Sequence, residues 1–121
     1  NQIKPNDNSI LVMLGNVNFD ARKWEDAQKW YEKALALKKD DIAVRTDLGI
    51  TFVERSTPDY DRAIKEFQTS LTIDPKHEPT LYNLALANYK KGNIQEAQAI
   101  RAKLASNAEL SKKLDALFAS N

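Results

Sequence analysis

Apolar residues return every three or four positions along most of the chain, with polar residues between them, the period of a helix with one buried face. In 9–19 the apolar set is Ile10, Leu11, Leu14, Val17 and Phe19; in 24–37 it is Trp24, Ala27, Trp30, Tyr31, Ala34, Leu35 and Leu37. The same spacing predicts helices over 42–53, 60–73, 80–89, 94–104 and 108–118. No stretch alternates long enough to predict a strand. Pro5, Pro58, Pro75 and Pro79 all fall between predicted helices, where a missing N–H does least harm. Lys91-Gly92-Asn93 reads as a helix stop with glycine in the left-handed cap. Gly15 and Gly49 lie inside helical patterns instead, at a cost of about 1 kcal/mol each relative to alanine. That cost predicts a packing reason, the close approach of a neighbouring helix backbone.

The helices recur in pairs. Leu14-Gly15, Leu48-Gly49 and Leu84-Ala85 match one another at separations of 34 and then 36 residues. Small residues follow at Ala27, Ala63 and Ala97, after 12, 14 and 12 positions. The two extra residues of the second unit therefore lie in Arg55-Ser56-Thr57-Pro58-Asp59, and the underlying period is 34.

A helix–turn–helix unit of this length resembles the tetratricopeptide repeat. The first unit carries Leu11, Leu14, Gly15, Ala27, Tyr31 and Ala34 at signature positions, departing at Asn18, where an aromatic is usual, and at Lys39, where proline is usual. The second carries Leu48, Gly49, Phe52, Ala63, Phe67, Ser70 and Pro75 and departs at Arg45. The third matches through Leu81, Leu84, Ala85 and Ala97, then diverges at Arg101 and Leu104. The resemblance implies an all-α fold: a right-handed superhelical array of three repeats (about 8–41, 42–77 and 78–107) and a capping helix (about 108–119), forming a single domain over 1–121. Ile3-Lys4-Pro5-Asn6-Asp7 resembles the turn that closes the second unit, Ile73-Asp74-Pro75-Lys76-His77, so a further repeat is expected before Asn8. The first residue is Asn rather than Met, which also reads as a processed product or an excerpt.

Such units bury too little surface alone and must share a core with their neighbours. Trp24, Tyr31, Tyr60 and Phe67 are expected to fill the spaces between helix pairs. The first helices of each pair would then line a concave groove. By resemblance its positions are Val12, Asn16 and Phe19, then Thr46, Asp47, Ile50 and Val53, then Tyr82, Asn83, Leu86 and Tyr89. Most of these are apolar or aromatic, while Asn16, Asp47 and Asn83 offer groups for a peptide backbone. A protein or peptide partner held in this groove by a non-enzymatic scaffold is the implied function. Other uses stay open: the same residues could pack on the C-terminal helix, the groove or terminal helix could join copies into a homo-oligomer, or the domain could serve a larger membrane-anchored or catalytic protein. One family activity is tested by position. The clamp that grips chaperone C-termini uses Lys, Asn, Asn, Lys and Arg, where this chain has Val12, Asn16, Asp47, Pro79 and Asn83. Only Asn16 fits, and Asp47 would repel a terminal carboxylate, so a basic or neutral ligand is expected instead.

Composition narrows the chemistry further. The absence of cysteine removes thiol catalysis, disulfides and Cys–Zn sites, and the lone His77 removes any His–His metal pair. Eighteen Lys+Arg against seventeen Asp+Glu argue against attraction to phosphate, so no nucleic acid partner is expected. The apolar run Ile10–Leu14 is too short for direct membrane insertion. Glu54, Asp59 and Asp61 surround the lengthened loop but lack the glycine and bidentate glutamate of a calcium site. No phosphate loop or nucleophile motif occurs, so the expectation is a chain with no cofactor or metal. Nothing in the sequence assigns a compartment.

Overall fold

Aspartate and asparagine side chains start four of the seven helices seen in a computed structural model, which describes residues 7–120. Asp7, Asp41, Asp59 and Asn107 each accept a hydrogen bond from a first-turn backbone N–H, satisfying donors that a helix start otherwise leaves open. The helices are α1 (Asn8–Asp20), α2 (Trp24–Leu37), α3 (Ile42–Glu54), α4 (Tyr60–Ile73), α5 (Glu78–Lys91), α6 (Ile94–Ala102) and α7 (Ala108–Ala119). The described residues contain no strand. The expected pairing is present: α1 packs on α2, α3 on α4 and α5 on α6, while α2 meets α3, α4 meets α5, and α7 closes on α5.

The two helix-interior glycines have a packing reason, though not the one expected. Each faces an aromatic ring of its paired helix rather than helix backbone. A Cβ on Gly15 would come within 2.5 Å of Tyr31 Cδ1, and one on Gly49 within 2.9 Å of Phe67 Cδ1. Tyr31 and Phe67 are fully buried, with Ala27, Ala34 and Ala63 letting the helices close around them. Trp24 and Tyr60, expected beside them, are only half-buried. Trp24 meets Phe19 edge to face at 5.1 Å.

The missing signature aromatics also have an account. Asn18 and Asn88 stand where Phe52 stands in the second unit, and each Nδ2 donates to the carbonyl four residues back, Leu14 at 2.8 Å and Leu84 at 3.0 Å. Both turns that follow need a left-handed residue. In the third unit this is Gly92, φ 102°; in the first it is Arg22, φ 60°. Arg62 ties the second unit to the first through Glu32 at 3.1 Å, and within the second unit Glu66 pairs with Arg62 at 3.0 Å and with Arg45 at 2.9 Å.

Candidate functional site

Helices α1, α3 and α5 carry every groove position expected from the sequence. Nine of those side chains keep some solvent exposure: Asn16 is exposed, while Val12, Phe19, Asp47, Ile50, Tyr82, Asn83, Leu86 and Tyr89 are half-buried. Two expectations are corrected. Val53 is only 5% exposed and belongs to the core, because the middle unit is covered by a neighbour on each side. Thr46 is buried too, its Oγ1 sharing a 2.8 Å hydrogen bond with Thr80 Oγ1 between α3 and α5.

Several of the others are already engaged. Asn16 Oδ1 accepts a 2.7 Å hydrogen bond from the Tyr31 hydroxyl, which fixes the orientation of the amide. Asn83 Nδ2 donates to the Pro79 carbonyl at 2.8 Å. Tyr89 stacks on Phe118 of α7 with ring centroids 4.9 Å apart, so the terminal helix packs on this expected groove position. The Tyr89 hydroxyl is buried and has no hydrogen-bond partner among the described residues.

Asp47 is different. It is half-buried and makes no hydrogen bond or ion pair within the described residues. Burial pushes its carboxyl up to about 6, and the charges of Asp41 and Asp20 push in the same direction. Burial also raises the Tyr31 hydroxyl, with Asp47 and Asp20 adding to it.

A cleft of about 280 Å³ lies at the end of α1 and α3, lined by Phe19, Asp20, Arg22, Trp24, Ile50 and Glu54. It brings together the expected Phe19 and Ile50, and adds four residues that the sequence did not assign to the groove. A signal for two of them was available: Asp20 and Glu54 occupy the same place in successive repeats, 34 residues apart, and both are acidic. In the third unit that place holds Lys90, whose Nζ lies 4.0 Å from Glu54. Another cleft, about 530 Å³ around Gly92–Glu96, contains none of the expected groove residues. Among the described residues no group of three metal-ligating side chains converges, and no helix is long and apolar enough to cross a membrane.

Two family models for the tetratricopeptide repeat match the chain, over residues 9–41 and 58–117. The chain belongs to the tetratricopeptide repeat family. A curated relative is the Hsp70/Hsp90 co-chaperone CNS1 of Saccharomyces cerevisiae, 28% identical over 87 residues, covering 70% of this chain and 23% of that protein. The chain spans less than a quarter of the length of the curated relatives it matches. Among solved structures, the Arabidopsis OM64 TPR domain superposes with a TM-score of 0.82 at 17% identity, over 93% of this chain and 94% of that one. PcrH in complex with the chaperone binding region of PopD gives 0.78 at 21% identity, over 93% and 88%. These likenesses fix the fold as an all-α repeat superhelix, and in this tetratricopeptide repeat chain α1, α3 and α5 are the first helices of their units.

Proposed function

We propose that this chain is a non-catalytic protein-interaction module whose concave face takes a peptide segment carrying an aliphatic side chain beside a cationic one. The aliphatic part would bury against Phe19 and Ile50, and the cation would face Asp47, Asp20 and Glu54. Val12, Asn16, Tyr82, Asn83 and Leu86 would form the rest of the wall, with Tyr89 shared between groove and α7. The observation that carries this reading is Asp47: a half-buried carboxylate with no hydrogen-bond or ion-pair partner among the described residues, close enough to Asp41 and Asp20 to feel their charge. A carboxylate left this way costs stability, and an incoming ammonium or guanidinium would recover it. Arg22 and Lys90 stand at the margins of the same region, so the field favours one cation at a defined place rather than a polybasic chain.

The comparisons support a partner of protein nature. CNS1 is described as a co-chaperone, and PcrH is seen with a segment of PopD. The chaperone-tail clamp is not the mode proposed, since Asp47, Pro79 and Asn83 replace its Asn, Lys and Arg. Titration of a short peptide of the pattern apolar-Lys-apolar, beside the same peptide with alanine for lysine, tests the reading. The lysine peptide should bind at least tenfold more tightly to wild type, and Asp47→Asn should abolish that preference. Equal binding of both peptides by wild type would remove the proposal.

A further inference from the structure

We propose that the concave face takes a dipolar segment: beside the cation held by the first two units, the ligand carries an acidic residue that pairs with Lys90 of the third. This rests on the face holding a cationic peptide, as proposed above, and adds the order and spacing of that peptide's charges.

The last turn of each first helix carries the signal. A helix C-terminus is the negative end of the backbone dipole, so a cation there is stabilising and a carboxylate costly. α5 follows that preference with Lys90 and Lys91. α1 and α3 do not: they end on Asp20 and Glu54, and neither has a basic residue in its last turn. Asp20 makes no hydrogen bond or ion pair among the described residues, so no such contact there offsets its placement. Both carboxylates line the cleft that holds Phe19 and Ile50, where Arg22 is the cation present.

Asp20, Glu54 and Lys90 form one row across the repeats, 34 and then 36 residues apart, the steps that relate Leu14, Leu48 and Leu84. Lys90 Nζ lies 4.0 Å from Glu54 Oε2, with 35% and 40% of the two side chains exposed. A pair this long and this exposed contributes little and is readily given up. A ligand cation on Glu54 and a ligand carboxylate on Lys90 would replace that one loose pair with two. Lys91 is held instead by Asp61 of α4, which leaves Lys90 as the third unit's cation in the row.

The spacing follows from the packing of α3 on α5, whose Thr46 Oγ1 and Thr80 Oγ1 are 2.8 Å apart. Helices in contact have axes about 8–10 Å apart. A polyproline-type chain repeats about every three residues, roughly 9 Å. A ligand cation at Glu54 and an acid three residues away would therefore face the same wall. Ile50 and Leu86, half-buried and at one repeat position of α3 and α5, would take the apolar side chain between them.

The test extends the apolar-Lys-apolar peptide with glutamate three residues before the lysine in one version and three residues after it in another. Alanine at the same places gives the controls, and isothermal titration reads the affinities. One of the two glutamate peptides should bind wild type at least fivefold more tightly than its control, and Lys90→Glu should turn that gain into a loss. Equal binding of the glutamate and alanine peptides by wild type would overturn the dipolar ligand. A gain from glutamate on both sides, or one that survives Lys90→Glu, would overturn it as well. In each of those cases a persisting preference for lysine over alanine would leave the cation reading standing, whereas loss of that preference would remove both.

Discussion

Phe67 covers Gly49 so closely that its ring and a side chain cannot share the site: an added Cβ would lie 2.9 Å from Cδ1. The ring is fully buried and has nowhere to turn. Gly49→Ala would gain up to about 1 kcal/mol of helix propensity and lose about 1–3 kcal/mol to overpacking. A net loss of stability is expected, and Gly49→Leu should lose more. Urea denaturation checks both; a Gly49→Ala chain as stable as wild type would contradict this packing.

Asp47 predicts a stability that depends on pH in an unusual direction. Its folded-state value, about 6, lies above that of an unfolded aspartate, so between roughly pH 4 and 6 the native state holds the extra proton. This group's contribution therefore weakens stability as pH rises through that range, and the cost is complete above it. Asp47→Asn should stabilise the chain at pH 7 by on the order of 1 kcal/mol and change little at pH 4. Thermal melts at the two pH values read this directly. Binding should follow the opposite course, since a cationic ligand needs the ionised carboxylate and should bind less tightly below pH 6.

Arg22 occupies the left-handed region at φ 60°, in the turn where the third unit uses Gly92. It also lines the cleft beside Phe19 and Ile50. Relief of this conformation by Arg22→Gly should raise stability by about 0.5–1 kcal/mol. A decrease in the melting temperature would show that the arginine side chain supports the turn by more than its conformation costs.

Tyr82 and Tyr89 should separate cleanly. Tyr89 stacks on Phe118, so Tyr89→Ala or Phe118→Ala should loosen α7, with about 0.5–1.5 kcal/mol lost beyond the buried area. Hydrogen exchange within α7 is the readout. Tyr82→Ala should leave α7 protected and weaken peptide binding instead.

The helix pattern was legible because apolar spacing, proline placement and glycine stops agree. α2 and α4 have the bounds read from the sequence, and the others differ by one to two residues at their ends. The 34-residue step placed Leu14, Leu48 and Leu84 in register, and the ring against Gly49 gives that step its physical cause. The groove was less legible. Repeat register assigns Phe19, Val53 and Tyr89 to one position, but each has different neighbours: Trp24 for Phe19, the flanking units for Val53, and Phe118 for Tyr89. Exposure at a repeat position depends on what lies on either side, and a single unit does not encode that. The cleft residue Arg22 was hidden for another reason, because its place there comes from a left-handed turn that arginine seldom makes.

The most direct measurement of ligand placement is an NMR titration of the uniformly labelled chain with the lysine-bearing peptide. The amides around Phe19, Asp47 and Ile50 should shift together and saturably, and the same titration of Asp47→Asn should need at least tenfold more peptide to reach the same shifts. Shifts confined to the surfaces of α2, α4 and α6, with these three regions unmoved, would contradict a ligand held on the concave face.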